Sequence, residues 1–317
     1  MRRILRLLPV LLAAALPLMA ETTGTLRQGT PEVFATAPRL SALQAVVLGI
    51  VEGITEYLPV SSTGHLILAQ RALGMDTEGS GKDAADAYAI CIQGGAILAV
   101  LLVSRKRILS MLKGLVGRDP QGLKLFAWLV VAFLPAGIAG LLFEKPMKRF
   151  LYGLWPVTVA WLVGGFFILA LAARARRQAA DGRSIGIDGM GWKHALAIGL
   201  LQCVALWPGV SRSLMTITGG LLIGLSMPAA VEFSFLLGLV TLGAGTVYEG
   251  LKAGPEIIRM FGWTGPLIGI VTAGVAAFLA VRWMVSYLNR RGLEAFGWYR
   301  IGLAVIVGAL LLAGVLA

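Results

Sequence analysis

Six stretches of the chain each run for 16 or more residues without a charged side chain, and all are rich in apolar residues. A helix needs about 20 such residues to cross the hydrocarbon core of a bilayer, and fewer where neighbouring helices help. The stretches cover residues 87–104, 125–143, 150–173, 233–248, 260–281 and 301–317. They predict an all-α polytopic membrane protein with about six full spans.

Composition excludes a soluble protein of this length. Apolar residues make up 57% of the 317 residues and charged residues only 14%, whereas soluble domains have about 45–50% and 25%. The net charge of +12 would suggest nucleic acid as the partner of a soluble protein. Here basic cytoplasmic loops explain it, so no nucleic-acid partner is expected.

The N-terminus has the pattern of a signal peptide. Basic residues in Met1–Arg6 precede the apolar run Leu7–Ala20. We therefore predict a signal peptide or an uncleaved anchor over residues 1–20, and an extracytoplasmic linker over residues 21–40. Residues 41–317 are expected to form one integral-membrane domain.

Loop charge predicts the orientation. The loops at residues 105–124, 174–193 and 290–291 contain thirteen Lys and Arg residues, against five in the loops at residues 145–149 and 252–259. The richer set is expected on the cytoplasmic side.

Two apolar segments are broken by Pro, Gly and hydroxyl residues, namely residues 43–73 and 195–225. Such breaks survive in a membrane only where the backbone faces protein or a wet cavity, which favours two re-entrant helix–break–helix hairpins. The segments resemble each other at an offset of 150, where Ser61 matches Ser211. With the loop charges, this predicts inverted-topology repeats over about 41–173 and 193–317 that meet near the midplane.

The first break follows two glutamates. Glu52 and Glu56 are four residues apart and share one helical face, and Gly49 and Gly53 have the same spacing, which allows close approach of another helix. The carboxylates are either a hydrogen-bonded structural pair or an acid/base or divalent-cation site. Oxygen donors favour Mg²⁺ or Ca²⁺.

Hydroxyl groups and one imidazole come next, in Ser61, Ser62, Thr63 and His65. A serine before an apolar helix is an ordinary N-cap, but three hydroxyls and an imidazole at membrane depth exceed what a cap needs. A helix N-terminus also binds anions. Ser62 or His65 is the candidate nucleophile on phosphorus, activated by a carboxylate.

The second break contains Ser211, Arg212, Ser213 and Thr216. Arg212 is either a structural partner of the glutamates or a phosphate-binding group. Together the breaks supply carboxylates, hydroxyls, an imidazole and a guanidinium, which suit phosphoryl transfer. The alternative is a lipid-phosphate flippase or other anion transporter, since transporters also use inverted repeats with broken helices.

The residues from Glu52 to His65 (EGITEYLPVSSTGH), with those from Pro208 to Thr216 (PGVSRSLMT), resemble the bacterial undecaprenyl-pyrophosphate phosphatase family, also called bacitracin-resistance proteins. Residues 92–100, 233–237 and 298–300 extend the resemblance, which runs from about Leu43 to the C-terminus.

The resemblance implies hydrolysis of undecaprenyl pyrophosphate, which recycles the lipid carrier for peptidoglycan synthesis and confers bacitracin resistance. It also implies a divalent cation, the bacterial inner membrane and a site open to the periplasm. By motif, Glu52 and Glu56 would bind metal or transfer protons, and Ser62, His65 and Arg212 would be catalytic. The remaining members of the implied phosphate site are Ser61, Thr63, Ser211, Ser213 and Thr216. The sequence is compatible with a homodimer.

Overall fold

The computed structural model describes residues 40–75, 79–180 and 184–316. Within these ranges the chain forms eleven α-helices and two short 3-10 turns, and no β-sheet. The predicted signal peptide or anchor, and the predicted linker up to residue 39, lie outside the described residues. These assignments stay predictions.

We number the helices in chain order: α1 (Ala42–Thr55), α2 (Ser62–Ala72), α3 (Gly79–Val103), α4 (Arg105–Leu115), α5 (Pro120–Leu151), α6 (Leu154–Ala180), α7 (Trp192–Gln202), α8 (Arg212–Leu222), α9 (Met227–Phe261), α10 (Thr264–Arg291) and α11 (Glu294–Leu312).

Six of these helices are long and apolar enough to cross a membrane, namely α3, α5, α6, α9, α10 and α11. The helices of the two broken segments have only 14 and 11 residues in the first and 11 and 11 in the second. At about 1.5 Å rise per residue, none of them reaches across 30 Å. The structure thus confirms an all-α polytopic protein with six spans and two hairpins of short helices.

The last helix extends beyond its charge-free stretch. That stretch begins at Ile301, after the final arginine, but α11 starts at Glu294 and encloses Arg300. The side chain of Arg300 is fully buried. A rule that ends a span at a charge fails where the protein interior satisfies that charge.

Local sequence explains where the first hairpin begins and breaks. The Ser41 hydroxyl accepts a hydrogen bond from the Gln44 N–H at 3.1 Å, and the Gln44 side chain accepts from the Ser41 N–H at 2.9 Å. This capping box starts α1. The helix ends at Thr55, four residues before Pro59, because a proline disfavours helical backbone before it and has no N–H to donate.

The two halves pack on each other reciprocally. Helix α1 lies against α10 and helix α7 lies against α5, while α3 contacts α9 and α6 contacts α11. The first half, α1–α6, consists of a hairpin followed by three spans, with α4 inserted after the first span. The second half, α7–α11, also consists of a hairpin followed by three spans. Three spans separate the hairpins, and an odd number of crossings makes the two repeats inverted.

Glycines bring the hairpin helices close to their neighbours. A Cβ on Gly53 would meet the Cβ of Ala276 at 2.7 Å, and a Cβ on Gly49 would lie 2.7 Å from the Gly269 carbonyl. Both neighbours belong to α10, so the close approach predicted from the glycine spacing is confirmed. In the second half, Gly199 of α7 lies equally close to the backbone of Ala132 in α5.

Candidate active site

Two serines with unusual backbone mark the breaks. Ser61 has φ 73° and Ser211 has φ 81°, and they are the only non-glycine residues with positive φ in the part of the chain that the structure describes. Each immediately precedes a short helix, α2 or α8. Such backbone costs on the order of 1–3 kcal/mol and persists only where its surroundings hold it. The match at offset 150 thus extends to backbone conformation.

Glu56 joins the two breaks. One carboxylate oxygen, Oε1, accepts a hydrogen bond from Nη2 of Arg212 at 3.1 Å, and the other, Oε2, accepts from the Ser62 hydroxyl. All three side chains are largely buried. Residues separated by 156 positions are therefore brought together in the order guanidinium, carboxylate and hydroxyl. This arrangement can deprotonate the hydroxyl and hold an anion beside it.

Arg212 is oriented by Tyr57 and Ser234, which were not among the predicted site residues. Its Nη1 donates to the Ser234 carbonyl at 3.1 Å, and its guanidinium lies 5.4 Å from the centre of the Tyr57 ring. Tyr57 is fully buried, and neither its hydroxyl nor Nε of Arg212 has a hydrogen-bond partner among the described residues. The signals for these groups were present, because Tyr57 follows Glu56 directly and Ser234 lies in the segment 233–237.

The hydroxyls of the second break bond to protein groups, and one of them bonds across the two hairpins. The Ser213 hydroxyl donates to the Leu58 carbonyl at 2.8 Å, across the two breaks. The oxygens of Ser211 and Ser213 are 2.9 Å apart, and those of Thr216 and Ser234 are 2.6 Å apart. The structure brings these residues to the site, but it gives Ser213 and Thr216 protein partners. In the first break, no side-chain hydrogen bond of Thr63 is found within the described ranges.

Glu52 is the group that fits a cation. It is fully buried, and neither carboxylate oxygen accepts a hydrogen bond from any described donor. Glu56 and Arg212 are charged groups that act on it electrostatically. Two neighbouring carboxylates, one of them without donors, suit a hard cation such as Mg²⁺ or Ca²⁺. In the residues that the structure describes, no third His, Cys, Asp or Glu joins them, so water or phosphate oxygens would complete the coordination.

His65 lies in a different arrangement from Ser62. Its Nδ1 is 2.7 Å from the Ser61 carbonyl, and its Nε2 is 2.7 Å from the Tyr299 hydroxyl. Because a carbonyl only accepts, Nδ1 carries the proton and Nε2 accepts from Tyr299. The ring also stacks on Tyr299 at 5.7 Å between centroids. The structure thus brings Ser62, and not His65, into hydrogen-bond contact with Glu56.

Comparison with known proteins decides the family. Residues 45–306 match the family described as bacitracin resistance protein BacA. The chain belongs to this family. The matched range includes both breaks and every candidate site residue named above.

Curated relatives of this BacA-family chain agree with each other in name. An undecaprenyl-diphosphatase of Sorangium cellulosum is 46% identical over 264 residues, which cover 83% of this chain and 84% of the relative. An undecaprenyl-diphosphatase of Methylococcus capsulatus is 42% identical over 269 residues, or 84% and 93% of the two chains. Undecaprenyl-diphosphatase 2 of Rhodospirillum rubrum is 43% identical over 276 residues, or 87% and 97%.

Proposed function

We propose that this chain is an undecaprenyl-diphosphatase, which hydrolyses undecaprenyl pyrophosphate to undecaprenyl phosphate and inorganic phosphate. The observation that carries the proposal is the contact of one Glu56 carboxylate with both the Ser62 hydroxyl and the Arg212 guanidinium. The names of relatives that match over most of their length support it. The reaction recycles the carrier lipid of peptidoglycan synthesis and confers resistance to bacitracin.

In the first step, Ser62 attacks the terminal phosphorus. The Oγ–P bond forms while the bond from phosphorus to the bridging oxygen breaks, and the Ser62 proton passes to Glu56. Undecaprenyl phosphate leaves with the bridging oxygen. Arg212 binds the equatorial and leaving oxygens, where negative charge develops.

In the second step, water attacks the phosphoserine. Glu56 first passes the proton taken from Ser62 to the departing undecaprenyl phosphate. It then accepts a proton from the attacking water and returns it to Oγ of Ser62 as the P–Oγ bond breaks and inorganic phosphate leaves. His65 remains the alternative nucleophile. Geometry favours Ser62, because both ring nitrogens of His65 are already engaged.

Glu52 and Glu56 would hold the divalent cation. The ion supplies positive charge that neutralises the phosphate oxygens and lowers their repulsion of a nucleophile. The unpaired oxygens of Glu52 support this assignment. Titration of the protein with Mg²⁺ and with Ca²⁺ would identify which of the two cations it binds.

The prenyl chain of the substrate would lie along the lipid-facing surface. A groove of about 650 Å³ between α1 and α10 is lined by apolar side chains, among them Ile54, Leu58 and Leu279. The Leu58 carbonyl also accepts from Ser213 of the site, so the groove begins beside the second break. We place the protein in the bacterial inner membrane with its site open to the periplasm, on the basis of loop charge. A homodimer stays a prediction.

Phosphate release from undecaprenyl pyrophosphate by the purified full-length protein tests the function. With Mg²⁺ or Ca²⁺ we expect release that a chelator abolishes and that falls by about 10³-fold or more in Glu56→Ala and Arg212→Ala. Asp188→Ala, which removes an exposed carboxylate from an ion pair with Arg107, is the control and keeps its activity. A folded wild type that releases no phosphate but moves a polyprenyl phosphate across proteoliposomes would replace the phosphatase with a transporter.

A further inference from the structure

Arg300 is a buried guanidinium that contacts both breaks. It has no exposed surface, and its nitrogens donate to five backbone carbonyls, all between 2.8 and 3.4 Å away. The acceptors are Pro59 in the first break, Gly209 and Val210 in the second, and Ala160 and Trp161 in α6. One side chain of α11 thus holds the two strained turns and a neighbouring span.

These contacts fix which way the peptide groups point. In a trans peptide the C=O and the following N–H point in opposite directions, and no described peptide bond is cis. The Val210 carbonyl faces Arg300 at 3.1 Å, so the Ser211 N–H faces away from it. The Val60 carbonyl accepts from the Trp161 indole N–H at 2.9 Å, which turns the Ser61 N–H away from α6.

Both outward N–H groups are free to bind a ligand. Neither the Ser61 nor the Ser211 N–H donates to an acceptor in the described part of the chain. Each precedes a helical first turn, in α2 or α8, whose N–H groups have no partner within the helix; in α8 the Ser211 hydroxyl accepts from one of them, the Leu214 N–H. Successive free N–H groups of this kind form anion sites. The unpartnered, fully buried Tyr57 hydroxyl beside Arg212 is a further donor without an acceptor.

The charge of Arg300 adds to this arrangement. All its acceptors are neutral carbonyls, and none of the described carboxylates forms an ion pair with it. A guanidinium without a counter-ion in the protein interior attracts an anion more strongly than it would in water. The positive charge therefore lies directly behind the two turns.

We infer that Arg300 is a positioning residue for the pyrophosphate group. By holding the Val210 carbonyl, it directs the Ser211 N–H toward the phosphate oxygens. It acts on the Ser61 N–H through Trp161, because Arg300 donates to the Trp161 carbonyl and the Trp161 indole holds the Val60 carbonyl. Arg300 does this without touching the substrate itself. The inference rests on the proposed function for the identity of the anion. It predicts that anion affinity depends on the geometry of Arg300 and not only on its charge.

The test measures the Kd of inorganic pyrophosphate by isothermal titration calorimetry on the purified full-length protein. Arg300→Lys keeps the charge but cannot span five carbonyls, and we expect its Kd to rise about 10- to 100-fold. Gly164→Ala should raise the Kd in the same direction but less, because a Cβ there would overlap Nη2 of Arg300. Gly302→Ala is the control, since its Cβ would meet open space, and should leave the Kd unchanged.

A purely structural role gives a different result. It would lower the folded fraction and the apparent kcat, while the folded molecules would bind pyrophosphate with the wild-type Kd, and this outcome would overturn the inference. If neither the Arg300 nor the Gly164 variant yields monodisperse protein, Trp161→Phe decides, because the one side-chain hydrogen bond that it removes is the bond to the Val60 carbonyl. An unchanged Kd in that variant would also overturn the inference.

Phosphate release and the Kd of pyrophosphate together distinguish the positioning role of Arg300 from the proposed phosphatase activity. A wild type that releases no phosphate from undecaprenyl pyrophosphate, yet binds pyrophosphate with an Arg300-dependent Kd, contradicts the phosphatase and supports the positioning role. A wild type that releases phosphate, with equal Kd values in all variants, supports the phosphatase and contradicts the positioning role.

Discussion

At the residue scale, Glu52 is the side chain whose burial most requires a compensating group. It is the only glutamate or aspartate of the described residues that is buried with neither oxygen hydrogen-bonded. An isolated buried carboxylate costs several kcal/mol when no positive group compensates it. Arg212 acts on Glu52 electrostatically but forms its ion pair with Glu56, so we expect a bound cation to supply further compensation for Glu52.

We predict that Mg²⁺ raises the Tm of the wild type and not that of Glu52→Gln. A ligand that binds only the folded state stabilises it by about 2.7 kcal/mol at 100 times its Kd, and the variant loses half of the carboxylate pair. Thermal unfolding of detergent-solubilised protein, with Mg²⁺ and with chelator, measures the effect. Glu232→Gln is the matched control, since Glu232 pairs with Arg107 outside the site. An equal Mg²⁺ shift in all three proteins would exclude Glu52 as a ligand.

The nucleophile can be assigned by trapping. We predict that Ser62→Ala loses the covalent phosphoenzyme and at least about 10³-fold in kcat. His65→Asn should keep the phosphoenzyme, because the imidazole is held by Ser61 and Tyr299 and does not contact Glu56. Acid-stable, alkali-labile label in the wild type identifies phosphoserine. Label that is acid-labile and persists in Ser62→Ala would assign the attack to His65 instead.

At the scale of elements, the short helices of the hairpins depend on neighbours in the other half. Helix α1 touches α10 through Gly49 and Gly53, and the glutamates occupy the same helix. Any change that separates α1 from α10 also moves Glu52 and Glu56. Small residues are a usual means of such close packing in membranes, where apolar contact alone gives little preference for one neighbour.

We predict opposite effects of the same substitution at two helical glycines. Gly53→Ala should lower the Tm, by the equivalent of about 1–3 kcal/mol, since its Cβ would lie 2.7 Å from that of Ala276. Gly94→Ala in α3 should raise the Tm slightly, because its Cβ meets nothing within 4 Å and alanine favours helix by up to about 1 kcal/mol. Thermal unfolding of both variants in one detergent gives the comparison. A rise in both would show that α1 and α10 can separate without cost.

The hairpins and spans were predictable because lipid imposes a simple rule on the backbone. Pro59 and Pro208 interrupt apolar segments, and such interruptions must face protein or water. Arg300 was not predictable in the same way, because its charge is satisfied by five carbonyls that are distant in sequence. The separation of His65 from Glu56 was equally hidden, since it depends on Tyr299 in α11. Sequence patterns reveal which groups are present, whereas packing between the halves decides which of them meet.

At the scale of the whole molecule, each repeat provides a different part of the chemistry. The carboxylates and Ser62 come from the first hairpin, and Arg212 comes from the second. At the position that matches Glu52, the second half has Gln202, which is buried and uncharged. The pseudo-symmetry of the backbone therefore supports an asymmetric set of reactive groups.

The predicted membrane topology can be tested by cysteine labelling in cells. In a variant without Cys91 and Cys203, we expect an impermeant maleimide to label Trp263→Cys from outside the inner membrane, and Arg118→Cys only after lysis. Both positions are exposed, the first between α9 and α10 and the second between α4 and α5. Three spans separate them. Labelling of both positions from the same side would contradict this topology.

The contacts of Arg300 also bear on when the site is completed during synthesis of the chain. Helices enter the membrane in the order of synthesis, and α11 is the last of the described helices. Both turns of the site remain unsupported on the side of α11 until Arg300 arrives beside Pro59 and Gly209. From the positioning role inferred for Arg300, we expect a nascent chain that has inserted Glu52, Glu56 and the second hairpin to be still inactive. A product truncated before α11 is then expected not to hydrolyse undecaprenyl pyrophosphate.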